Sequence, residues 1–188
     1  RSDLKFIGVA GPKMAKEGAI SYFPMEELSV RGYFEAIKKL FHLLKLRKNL
    51  LNQILNAKPD LFIGVDAPDF NFWIERQLKK KGIPVIHYVS PSIWAWRGDR
   101  LGKIKKSIDH MLTIFPFEKK IYAKAHIEAT FVGHPLAEMI PLHPNKKKAQ
   151  NKLKIIKATK VIALLPGSRQ GEVKWHAQLL IDSAIELS

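Results

Sequence analysis

Six short apolar runs, each set off from the next by a stretch with helical spacing, constrain this chain more than any other feature. They are KFIGVAG (5–11), DLFIGVD (60–66), PVIHYVS (84–90), HMLTIF (110–115), ATFVG (129–133) and KVIALLP (160–166). Near-continuous apolar runs of this length suit strands covered on both faces, and a helix between successive strands implies parallel pairing. The expected fold class is therefore α/β, a Rossmann-like parallel sheet with flanking helices.

The 188 residues are enough to bury a sizeable core, and no apolar run approaches the roughly 20 residues that span a bilayer as a helix. Residues 1–5 carry no signal-peptide pattern. Without cysteine the chain has no disulfide, thiolate metal site or thiol nucleophile. A formal net charge of +15 points to an anionic partner, whether nucleic acid, an acidic membrane surface or a phosphorylated substrate. The lysines are spread along helical segments such as KKLFHLLKLRKN and NKKKAQNK, so a solvated basic surface explains them equally well.

The basic, polar stretch from His143 to Lys160 separates the fifth run from the sixth. It divides the chain into a first Rossmann-like domain over 1–142, a linker or interdomain helix over 143–159, and a βα unit over 160–188. One strand and one helix cannot bury their own apolar faces, so that unit either joins the preceding sheet or begins a second domain. The start also reads as cut, because Arg1-Ser2-Asp3 leads straight into a strand.

Ligands of parallel α/β sheets lie beyond the carboxyl ends of the strands. In GVDAPDFN a strand ends in Asp66, a general base if partly desolvated, and Asp69 is placed to cap the helix beginning near Phe70. In HYVSPSIWAWRGDR, Ser90, Trp94, Trp96, Arg97 and Arg100 follow another strand; at least one of the two tryptophans reads as packed on the sheet, and the arginines face phosphate or water. In LLPGSRQGEV, Gly167, Ser168 and Arg169 bring backbone N–H groups, a hydroxyl and a guanidinium to a helix start, a seat for phosphate. A Ser N-cap after a tight turn explains the first two residues structurally, but not the arginine. On that helix Val173, Ala177, Leu180, Ile181 and Ala184 share a face, and Trp175 falls roughly 160° away, outward.

Residues 29–55 carry a broad apolar stripe of Val30, Tyr33, Phe34, Ile37, Leu40, Phe41, Leu44, Leu51 and Leu55, with Leu43, Leu46 and Leu50 roughly 120–180° away. Apolar residues outside the core stripe, set among Lys38, Lys39, Lys45, Arg47 and Lys48, have the composition of a segment lying on an anionic membrane; the plain alternative is a helix buried on two sides. The membrane patch expected here is Phe34, Ile37, Leu40, Leu43, Leu44 and Leu46, joined by Trp175.

Taken in order, GVAGPKMAKEG, VDAPDFN, HYVSPSIWAWR, FPFEKKIY, FVGHPLAE and LLPGSRQGEV resemble the bacterial lipid-A-disaccharide synthase family over nearly the whole chain. The resemblance implies the N-terminal half of a two-domain GT-B architecture, truncated at both ends: most of an acceptor-side domain, whose first strand and loop are missing, and the first βα unit of a donor domain. It implies an inverting hexosyltransferase that moves 2,3-diacylglucosamine from its UDP donor to 2,3-diacylglucosamine 1-phosphate, giving lipid A disaccharide and UDP, with no cofactor and no metal. Such a piece is expected to be inactive alone. The family's essential aspartate matches Asp66 and its essential arginine matches Arg169; the strand-end reading adds Gly167 and Ser168 beside the donor diphosphate and Asp69, Ser90, Trp96 and Arg97 as acceptor-side candidates. The implied partners are the two sugar substrates and an anionic membrane surface, at the cytoplasmic face of the bacterial inner membrane, with a homodimer open to the intact enzyme. Another GT-B transferase or a sugar-nucleotide epimerase would share the phosphate-binding unit. A nucleic-acid-binding module would suit the charge, yet no RNA- or DNA-binding motif accompanies it.

Overall fold

The computed structural model describes residues 3–28, 35–96, 100–155, 161–168 and 170–187, and the side chains of all of these except 35–40, 95, 96 and 170. The chain divides into two units, residues 1–139 and 140–188.

The first unit opens with β1 (Ile7–Gly8), α1 (Pro12–Lys16) and β2 (Ile20–Ser21), the two strands pairing in parallel as a two-stranded sheet. β2 is too short and too exposed to show in the hydropathy pattern, and the run at 5–11 shrinks to its central two residues. After a 3-10 turn at Met25–Leu28 come α2 (Glu35–Ala57), β3 (Phe62–Val65), α3 (Pro68–Lys80) and β4 (Val85–Tyr88). Then follow α4 (Ile93–Trp96), α5 (Leu101–Ser107), β5 (His110–Thr113), α6 (Glu118–Lys124), β6 (Glu128–Phe131) and α7 (Pro135–Met139). The strands β3, β4, β5 and β6 form a four-stranded parallel sheet in chain order, as alternating strand and helix patterns require.

One face of this sheet carries the core. Gly64 pairs with His87, and His87 with Met111, so these positions share a face with Phe62, Val85 and Thr113. Against it pack Ile74 and Leu78 of α3, Ile104 of α5 and Tyr122 of α6, with Leu50, Leu51 and Ile54 of α2 in the same cluster. Lys79 ties the sheet to α3, donating to the carbonyls of Ile108 and Lys105 and lying 2.9 Å from Asp109 Oδ1. Ile63 and Val65, which alternate onto the opposite face of β3, are exposed, so coverage of both faces, expected from the apolar run, does not hold there among the described residues.

The stripe drawn along α2 needs correction. Leu50 is buried at 5 % exposure, whereas Phe41 and Leu44, counted with the core, are 73 % and 42 % exposed. The inward face instead runs through the half-buried Leu43, Leu46 and Arg47 to Leu50, Leu51 and Ile54. Val30, Tyr33 and Phe34 of the expected stripe lie outside the described residues. Arg47, grouped with outward cations, lies over the Trp73 ring at 4.5 Å, a cation–π contact that joins α2 to α3. Of the other patch residues, Phe34 lies outside the described residues, as do the side chains of Ile37 and Leu40.

The second unit holds α8 (Lys146–Lys152), inside the basic stretch, and α9 (Gln170–Glu186). Asn145 caps α8, its Oδ1 accepting from Lys148 N–H at 2.9 Å. The strand expected at 160–166 is not formed: residues 161–167 have no regular structure, and Val161, Ile162, Leu164 and Leu165 are exposed. A β-strand is defined by its hydrogen-bonded neighbour, and this segment has none among the described residues. On α9 the expected face is half met, with Ala177, Leu180 and Ala184 partly covered and Val173 and Ile181 exposed. Trp175 points outward as expected, 77 % exposed.

Candidate active site

β3 ends at Val65 and α3 begins at Pro68, so only Asp66 and Ala67 join them. Proline suits the first helical position because no N–H is needed there, and it disfavours right-handed helical backbone in the residue before it. Asp66 and Ala67 have φ of 50° and 43°, two consecutive non-glycine residues in the left-handed region, where each costs on the order of 1 kcal/mol or more. Asn71, one turn into α3, holds them: its Nδ2 donates to the Asp66 carbonyl at 2.8 Å and to the Val65 carbonyl at 3.3 Å. The Asp66 N–H donates to the Tyr88 carbonyl at 2.8 Å, extending the β3–β4 ladder by one residue. The side chain of Asp66 is left exposed at this edge, where a carboxylate can take a proton from an incoming hydroxyl.

Asp69 does not cap α3. The N-cap position is Ala67, no side chain caps it, and Pro68 takes the first helical position, which leaves Asp69 inside the first turn. Its Oδ1 lies 3.2 Å from Arg100 Nη2, with the Asp69 side chain 84 % exposed, a surface ion pair of small energetic weight. Arg100 is thereby directed at a neighbouring carboxylate as well as at solvent.

The end of β4 is also strained. Val89 has φ of 75°, unusual for a β-branched residue, and its N–H donates to the Leu112 carbonyl at 3.1 Å. Ser90 follows, buried, with its Oγ donating to the Pro91 carbonyl at 3.0 Å. That leaves the Tyr122 hydroxyl to donate to Ser90 Oγ at 2.7 Å, so Ser90 is engaged in the core. Trp96's side chain and Arg97 lie outside the described residues. Beyond β4, β5 and β6 an aromatic cluster forms: Trp94 meets Phe117 edge to face at 5.4 Å, Phe117 stacks on Phe115 at 5.6 Å, and Phe115 lies 5.8 Å from His134. Trp94, Phe115 and Phe117 remain partly exposed and offer apolar ring faces beside the strand ends. Of this cluster only Trp94 was singled out from the sequence; the available signal was the recurrence of aromatic rings a few residues after each of three successive strands.

Beneath the strand ends lies a pair that the sequence reading missed. Glu75 of α3 and His87 of β4 are both fully buried, with Oε1 and Nδ1 2.6 Å apart. Burial raises the Glu75 carboxyl above its ordinary range, and the hydrogen bond and charge of His87 oppose that rise.

In the second unit Gly167 has φ of 115°, and a Cβ there would lie 2.6 Å from Glu172 Cβ and Oε2, so this turn admits only glycine. The Ser168 N–H donates to Glu172 Oε2 at 3.0 Å, so a carboxylate from the first turn of α9 accepts from the turn that leads into it. A carboxylate thus occupies one of the amides reserved for phosphate by the sequence reading. Arg169 lies outside the described residues. Among the described residues no group of three or more His, Asp or Glu side chains is placed to hold a metal ion, and no helix is long and apolar enough to cross a membrane.

A family model described as lipid-A-disaccharide synthetase matches residues 1–188. The chain is 54% identical over 184 residues to the lipid-A-disaccharide synthase of Methylobacillus flagellatus, covering 98% of this chain and 49% of that protein. It is 50% identical over 186 residues to that of Azoarcus sp. (strain BH72), covering 99% and 48%, and 52% identical over 173 residues to that of Wigglesworthia glossinidia brevipalpis, covering 92% and 45%. The chain spans about half the length of the curated relatives it matches.

Proposed function

The chain belongs to the lipid-A-disaccharide synthetase family, and on that premise we propose that it contributes the acceptor-side half of a glycosyltransferase of lipid A biosynthesis. The full-length protein would transfer 2,3-diacylglucosamine from UDP to the 6-hydroxyl of 2,3-diacylglucosamine 1-phosphate. Asp66 acts as the base. As the acceptor oxygen attacks the anomeric carbon from the face opposite UDP, its proton passes to the Asp66 carboxylate; the bond from the anomeric carbon to the diphosphate breaks, and UDP departs with the electron pair, inverting the anomeric centre. Charge accumulates on the departing diphosphate, and Arg169, with Gly167 and Ser168, is assigned to meet it. The phosphate would replace the Glu172 carboxylate at the Ser168 amide.

The observation that carries this reading is the backbone at Asp66: an exposed carboxylate at the carboxyl end of a parallel strand, on strained left-handed backbone gripped by Asn71. Strain of that kind persists where the surrounding structure over-determines it, which is common at functional sites. In the full-length protein Asp66→Asn should lower kcat by about 100- to 10,000-fold while leaving the melting temperature unchanged. Turnover near that of the parent would rule the base out.

The substrates carry acyl chains, and the outward Phe41, Leu44, Lys45 and Lys48 of α2 and Trp175 of α9 support a cytoplasmic protein that docks peripherally on an anionic leaflet.

A further inference from the structure

We propose that the buried Glu75–His87 pair, seated in the notch that Gly64 leaves in β3, is a positioning unit for Asp66; the inference rests on Asp66 being the base. Gly64 is not in the left-handed region, so space alone demands glycine there. A Cβ at 64 would lie 1.9 Å from Glu75 Oε1 and 3.1 Å from both Glu75 Cδ and His87 Nδ1. His87 is the cross-strand partner of Gly64, and its ring packs against Phe72 of α3 at 4.8 Å. Asn71 and Glu75 are four residues apart and therefore share one face of α3. That face grips β3 at two successive heights, Glu75 at Gly64 and Asn71 at the carbonyls of Val65 and Asp66. The depth at which Glu75 seats sets how closely Asn71 can hold the two left-handed residues.

Stability alone is a poor account of the pair. Glu75 Oε2 and His87 Nε2 are buried without a hydrogen-bond partner among the described residues, and buried ionisable pairs are often matched or exceeded in stability by apolar residues of the same volume. Geometry is what an apolar pair would lose, because the 2.6 Å contact fixes α3 against β4 directly beneath the strand ends.

The test uses the full-length protein and the variants Gly64→Ala, Glu75→Gln and Asp66→Asn, with steady-state kinetics and hydrogen exchange read by mass spectrometry. For Gly64→Ala we expect kcat to fall at least about tenfold, since misplacement by an ångström can cost that much, with KM for both sugar substrates within about threefold. Exchange should accelerate in peptides spanning 62–71 and stay at the parent rate across β5 and β6. Glu75→Gln keeps the shape and one hydrogen bond to His87, and should lower kcat less than Gly64→Ala does; a larger loss than in Gly64→Ala would overturn a role set by how deeply the side chain seats. Parent-like kcat and exchange in Gly64→Ala would overturn the proposal. So would exchange rising equally from β3 to β6, which marks general destabilisation. Should Asp66→Asn retain turnover, the base assignment fails on its own, and exchange at 62–71 still decides whether the pair positions that turn.

Discussion

Tyr122 is fully buried, donates to Ser90 and lies near Glu118. Burial pushes its phenol up to about 12, and the Glu118 charge adds to the rise. A group whose pKa is raised by folding contributes stability that is complete below its unfolded value, about 10, and is lost as pH climbs through the folded value. The window is therefore pH 10 to 12, and about two units correspond to about 3 kcal/mol. Ultraviolet titration should show one of the four tyrosines ionising late, together with unfolding, and Tyr122→Phe should abolish that step; the absence of any late step would contradict a neutral buried phenol. Legibility at this scale divides by where the determining contacts lie. Asp66 was readable because strand, carboxylate and proline stand in one stretch of sequence. Glu75 was not: between Ile74 and Arg76 it looks like an ordinary helix charge, and only Gly64 and His87, brought from two strands, make it a buried one.

The helix α2 shows the same division one level up. Its existence followed from periodicity, but its inward face depends on where the period starts. With Leu50 and Ile54 against α3 and the sheet, Leu50→Ala should cost about 2–5 kcal/mol in urea unfolding, the range for emptying a packed site. Phe41→Ser, at the outward face, should change stability by less than about 0.5 kcal/mol. The reverse order would restore the original stripe. Strands β3 to β6 were legible because their apolar runs are bounded by turns and find neighbours; the apolar run within residues 161–167 has no pairing partner among the described residues, and is irregular. Pairing between β1 and β2 was illegible because two-residue strands carry no pattern.

For the whole molecule, a charge of +15 accounts for attraction to any polyanion but not for selection among them, since ions at physiological strength screen exposed charges beyond about 8 Å. Selection for a leaflet requires apolar groups that enter it, and each of the two units presents such groups: Phe41 and Leu44 on α2, Trp175 on α9. If docking combines both forces, vesicles containing anionic phospholipid should retain the protein in co-sedimentation and zwitterionic vesicles should not. Raising salt should weaken retention without abolishing the apolar share. Lys45→Gln and Lys48→Gln should each lower affinity by up to about fivefold, about 1 kcal/mol per cation near the surface. Phe41→Ser and Trp175→Ser, made singly, should weaken binding at high salt as well as low while leaving the melting temperature unchanged, because neither side chain is buried. Binding that vanishes entirely with salt and ignores both serine variants would show a purely electrostatic surface, and the membrane reading would give way to a soluble anionic partner.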